Sequence, residues 1–155
     1  MLGILEPMEE AVSCHDWASA GLLADCASWR APRLRADLSA LGVTADGLPR
    51  CRDVPRPMCR DSAFGHLYVL EGSALGGQIV SREVSKALGI RADNGGSFYA
   101  ASGRPPVGET WRGFRAALER HCARPDLAAA AAANCFVALE RWLSRGAGVA
   151  GLDAA

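Results

Sequence analysis

The sequence predicts an all-α domain. Apolar residues recur at helical intervals through most of its 155 residues, and no run alternates apolar with polar residues between hairpin turns. Glycine and proline stand where the periodic stretches end. The length fits one domain, drawn at residues 1–145, with residues 146–155 expected to form a flexible tail. Half of the residues are apolar and 22% charged, a globular composition, not a disordered one. With 17 basic and 17 acidic residues the net charge is zero. Charge therefore gives no footprint for nucleic acid or for an anionic membrane surface, and no apolar run is long enough to span a bilayer.

The first segment carries Met1, Leu5, Met8 and Val12 on one helical face. It has no capping residue ahead of it, and Pro7 is expected to bend or restart it. A second helical stretch is read near Ala18–Trp29, and a third from Pro32, a good first helical residue, to Leu41. The segment "GLPRCRDVPRP" reads as a surface loop. The longest helix is expected from Met58 to Leu88, with Leu67, Leu70 and Ala74, then Val80, Val84, Ala87 and Leu88, on its apolar face, and Gly89 as its stop. A loop, "RADNGGSFYAASGRPPVGE", follows. Trp111, Phe114 and Leu118 mark the next helix, and Pro125 opens a last one that Gly146 is expected to end.

Cysteines 14, 26, 51, 59, 122 and 135 make no C-x-x-C pair and no zinc spacing, so reduced thiols in a cytoplasmic protein are expected and no metal site is assigned. The stretch "LEGSALGGQ" is the anomaly. Three glycines in a helix interior give up on the order of 2–3 kcal/mol relative to alanine. Gly72 and Gly76 lie one turn apart, as do Ser73 and Gly77. The patch suits close packing on a neighbouring helix, a break into two helices, or a flat ligand laid against bare backbone.

"GHLYVLEGSALGGQIVSREVSKALG" closely resembles the distal-helix segment of heme oxygenases, particularly the bacterial biliverdin-forming group often paired with phytochromes. Gly72, Ser73, Gly76, Gly77 and Gln78 match the family pattern G-[acid or Ser]-x-x-G-G-Q, and "ETWRGFRAALE" and "ANCFVALERWL" fit later family helices. The resemblance implies a helical bundle that clamps heme beneath a glycine-kinked distal helix. Heme is then both substrate and cofactor, consumed with O2 to biliverdin, CO and ferrous iron. A reductase or ferredoxin-like protein supplies electrons, and a bacterial phytochrome is a candidate recipient of the product. By the same resemblance Gly72, Ser73 and Gly76 belong to the catalytic face. Leu75, Gly77 and Gln78 join them in holding heme, and Arg112 and Arg115 face its propionates, as guanidinium suits carboxylate. Phe136 is assigned to the core.

The family takes its axial histidine from its first helix, and none of His15, His66 and His121 matches that position. The chain is therefore expected to lack that helix, and to self-associate through the surface left uncovered. A non-catalytic heme-binding or partner-binding relative is the alternative function. A thiaminase-like hydrolase, sharing the general scaffold, would need a cysteine nucleophile, and Cys135 and Glu140 are not one turn apart.

Overall fold

A computed structural model of the chain describes residues 1–22, 30–102 and 105–150. Six α-helices and a short 3-10 turn are present among the described residues, and no strand. They are α1 (Leu2–Val12), α2 (Arg30–Ala40), α3 (Arg60–Leu88), α4 (Ser97–Ala100), α5 (Val107–His121) and α6 (Pro125–Ala150). The all-α expectation holds. Where the second helix is expected, the described residues form the 3-10 turn Ala18–Ala20, closed by Gly21 in the left-handed region; the rest of that expected helix, residues 23–29, lies outside the described set.

Pro7 does not restart α1: the helix runs through it. Proline has no N–H to give the carbonyl of Gly3, four residues back. The Cys51 amide supplies that hydrogen bond instead, at 2.7 Å. A Cβ on Gly3 would collide with the Pro49 carbonyl and the Trp142 ring. The missing donor and the missing side chain thus together seat the 49–51 loop against α1.

Two buried acids, both unforeseen in the sequence, lock the small helices together. Glu9 on α1 accepts the Arg30 and Ala31 amides at 2.9 and 3.1 Å, which are the first orphan donors of α2. Burial pushes the Glu9 carboxyl up to about 7, against the lowering pull of those two amides and of the Arg30 charge. Asp37 on α2 accepts the amides of Ser97 and Phe98 and the Ser97 hydroxyl, at 2.7–3.0 Å. That cap organises α4 inside a segment expected to be loop. Arg30, buried itself, donates to the Leu70 carbonyl of α3 and lies over the Phe98 ring.

The core is built on α3. Ile4, Met8 and Val12 from α1, Phe64, Leu67 and Leu70 from α3, Phe114 from α5 and Cys135 from α6 are all buried in one cluster. Leu67, Leu70 and Ala74 face inward as expected, but the second half of the predicted apolar face does not: Val80, Ala87 and Leu88 are exposed and Val84 is only half-buried. Packing is most extensive between α3 and α6. At their crossing a Cβ on Gly65 would strike the Ala128 carbonyl and the Ala132 amide. Ala128, Ala132 and Cys135 present small side chains to that contact at i, i+4 and i+7.

α3 is capped at Cys59, with Ser62 accepting the Cys59 amide at 3.0 Å, and it ends at Gly89 in the left-handed region as expected. It is one helix, so the glycines do not divide it. The stop expected at Gly146 is absent, and α6 continues to Ala150. A glycine costs a helix about 1 kcal/mol but does not end it unless it takes the left-handed cap, and alanines follow here.

Two outcomes are expected. Gly65→Ala should destabilise the fold by at least about 2 kcal/mol through overpacking of a backbone contact, measured by urea unfolding. For Glu9 the folded form binds its proton more tightly than the unfolded chain. Stability should therefore fall as pH rises from its ordinary value of 4.5 to about 7 and then level off. The pH slope should flatten over that window in Glu9→Gln, whatever its absolute stability.

Candidate functional site

Tyr68, Gly72 and Gly76 follow one another at four-residue intervals along one side of α3. The glycines of the helix prove to have different surroundings. Gly77 is turned inward, and a Cβ there would press the Tyr99 carbonyl at 3.3 Å, so its bareness serves the seat of α4. Gly72 faces the Trp111 ring of α5 at 3.5 Å from a would-be Cβ, ordinary contact distance. Gly76 meets nothing within 4 Å among the described residues. Packing accounts for Gly65 and Gly77; it does not account for Gly76.

The remaining members of the predicted site are spread over α3 and α5. Leu75 is 41% exposed and Gln78 is exposed. Ser73 is exposed too, and its hydroxyl donates to the Leu70 carbonyl at 2.8 Å, which leaves its oxygen lone pairs to accept. Arg112 and Arg115 are exposed on α5. Arg115 pairs with Glu119, one turn on, at 3.7 Å. The eight residues are thus divided between five outward positions of α3 (Gly72, Ser73, Leu75, Gly76, Gln78), two cations on α5, and Gly77 on the inward side.

Beside Tyr68 an open groove of about 690 Å³ runs between α3, α5 and α6. Gly65 and Tyr68 form one wall, Leu118 and Cys122 another, and Phe136 a third. Phe136 is not the core residue expected: it is 53% exposed and lines this groove. Its spacing with Leu139 and Leu143 is equally that of a core stripe, so periodicity alone could not tell the two apart. Tyr68 stands edge-on to Trp111 at 5.3 Å, and Trp111 stacks on Phe114. This aromatic group joins the groove to the glycine face. Sequence reasoning missed Tyr68 and Trp111 as part of the site; the four-residue step back from Gly72 was the available signal for Tyr68.

No histidine contributes to this surface. His66 is buried, with its ring nitrogens 3.1 Å from the Ser62 carbonyl and 2.9 Å from the Pro55 carbonyl. His15 packs beside Trp17, where burial and the Arg60 charge lower its pKa. His121 is exposed at the last turn of α5. No group of three or more His, Cys, Asp or Glu side chains that could hold a metal ion occurs among the described residues. Cys135 is fully buried, and burial pushes its thiol up to about 12. A thiol so placed is not a nucleophile at neutral pH, so Cys135 lends a thiaminase-like hydrolase no support.

The family model for heme oxygenase matches residues 17–145. The chain belongs to the heme oxygenase family. A heme oxygenase of Xanthomonas campestris pv. campestris (strain 8004) is 37% identical to it over 109 residues, 67% of this chain and 61% of that protein. The chain thus spans about three-fifths of the length of this relative. No solved structure matches the chain. Within the heme oxygenase family the helical bundle is expected, and no helix among the described residues is long and apolar enough to cross a membrane.

The contrast between the glycines can be measured without any ligand. Gly76→Ala should stabilise the protein by about 0.5–1 kcal/mol in thermal or urea unfolding, since alanine meets open space on a helix.

Proposed function

We propose that the Gly72–Gly76 face of α3 and the adjoining groove bind heme. The single observation that carries this reading is Gly76: a helical glycine with no packing reason to be bare, one turn from Gly72 and the Trp111 ring it faces. The chemistry of the surroundings fits a porphyrin. The groove is almost wholly apolar, Tyr68 and Trp111 offer ring surface to a flat ligand, and Arg112 and Arg115 suit its carboxylates. A porphyrin laid on Gly76 would be in van der Waals contact with main chain, which a larger residue would prevent. Gly72, Leu75 and Gln78 would flank it, and the Ser73 oxygen is free to accept a hydrogen bond from ordered water near the ligand. Gly77 contributes by keeping α3 seated on α4 beneath this face.

The whole-protein activity belongs to the same proposal. Bound heme supplies the oxygen-activating centre and is itself the substrate, opened with O2 and external electrons to biliverdin, CO and ferrous iron. A reductase or ferredoxin-like donor, a phytochrome as recipient of biliverdin, and a cytoplasmic setting are parts of the reading that rest on the family alone. One observation favours a second reading, a relative that holds heme without cleaving it: none of the three histidines lies on the groove or the glycine face, so these residues offer the iron no imidazole there.

Titration with hemin, followed by its visible spectrum, tests the site. Saturable binding is expected, weakened at least about tenfold by Gly76→Leu, the scale of 1–3 kcal/mol of steric conflict. Equal affinity in Gly76→Leu would remove the assignment. Ascorbate added to the complex then separates the two readings: biliverdin formation supports cleavage, and an unchanged heme spectrum supports the non-catalytic relative.

A further inference from the structure

We infer that Glu119 sets the ligand preference of the groove by competing with the ligand's own carboxylate for Arg115. The inference rests on the heme-binding reading above and concerns a residue that reading leaves without a role. Among the lining residues of the groove, Glu119 is the one charged side chain. A carboxylate at the rim of an apolar groove is an unfavourable feature for an anionic ligand, and it calls for an explanation.

The geometry supplies one. Trp111, Arg115 and Leu118 lie along one stripe of α5 that its C-cap residue Cys122 continues, spaced by four, three and four residues. Leu118 and Cys122 line the groove, while Trp111 faces Gly72. Arg115 therefore stands where the groove meets the glycine face, the place at which the polar edge of a flat ligand would reach α5. Glu119 holds that guanidinium at 3.7 Å, and both side chains are well exposed, at 60% and 70%.

An exposed pair of this kind is weak and readily exchanged. A carboxylate arriving from the ligand takes donors of Arg115, and Glu119 is then left both less well paired and close to a like charge. A ligand whose acid groups are blocked draws nothing from Arg115 and provokes no such exchange. Glu119 thus narrows the advantage that a carboxylate-bearing tetrapyrrole has over an uncharged one, and it makes that advantage depend on salt. It is a specificity-determining residue acting through Arg115, not a group that touches the reacting atoms.

The test compares hemin with hemin dimethyl ester on the wild-type chain, Glu119→Gln, Arg115→Ala and the double variant, reading affinity from the visible spectrum. Glu119→Gln should tighten hemin about two- to five-fold, the range of an exposed ion pair, and leave the ester unchanged. The gain should shrink as ionic strength rises and vanish in the Arg115→Ala background. Unchanged or weaker hemin binding in Glu119→Gln would overturn the inference, as would equal tightening of the ester. If the wild-type chain binds neither compound, the heme-binding reading fails and the inference falls with it.

Discussion

α3 and α6 meet at Gly65 with main chain against main chain, and the rest of the molecule is arranged around that contact. A helix pair can approach so closely only where both sides give up side-chain volume, which Gly65 does on α3 and Ala128 and Ala132 do on α6. The close crossing fixes where the two helices diverge. In the space they leave, with α5 as the third wall, lies the groove. The alanine-rich start of α6 and the isolated glycine of α3 are two halves of one packing device.

The other glycines of α3 act at a distance from this crossing and for different reasons. Gly77 lets the turn carrying Tyr99 sit against the helix, and that turn is itself held by the Asp37 carboxylate. Gly76 faces open space. Glycine in a helix interior is a standing cost in stability, and a cost with no return inside the fold points to something outside it. Arg30 anchors the same segment from behind: its guanidinium takes the Leu70 carbonyl, which also accepts the Ser73 hydroxyl. A buried cation, two capping acids and a close helix crossing together hold a bare strip of backbone in a fixed position.

Much of this was legible in the sequence. Helical periodicity located α1, α3, α5 and α6, and the Leu67, Leu70 and Ala74 stripe was placed on the buried side, because those signals are local. The failures were tertiary. Glu9 and Asp37 act across 21 and 60 residues, and no local pattern marks an acid as the cap of a distant helix. α4 exists because Asp37 reaches it, so its own sequence reads as loop. Phe136 shows the limit of periodicity: its stripe is helical either way, and only the position of α5 and α3 decides that it faces a groove. Gly76 and Gly77 are neighbours in the sequence with opposite surroundings, and the motif that contains both could not say which one was left bare for a ligand.

The most direct measurement of the central claim is a crystal structure of this chain with hemin. The porphyrin plane is expected in van der Waals contact with the Gly76 Cα, its apolar edge toward Tyr68 and the groove, and a carboxylate within reach of α5. Hemin seated elsewhere, with Gly76 still open to solvent, would contradict it.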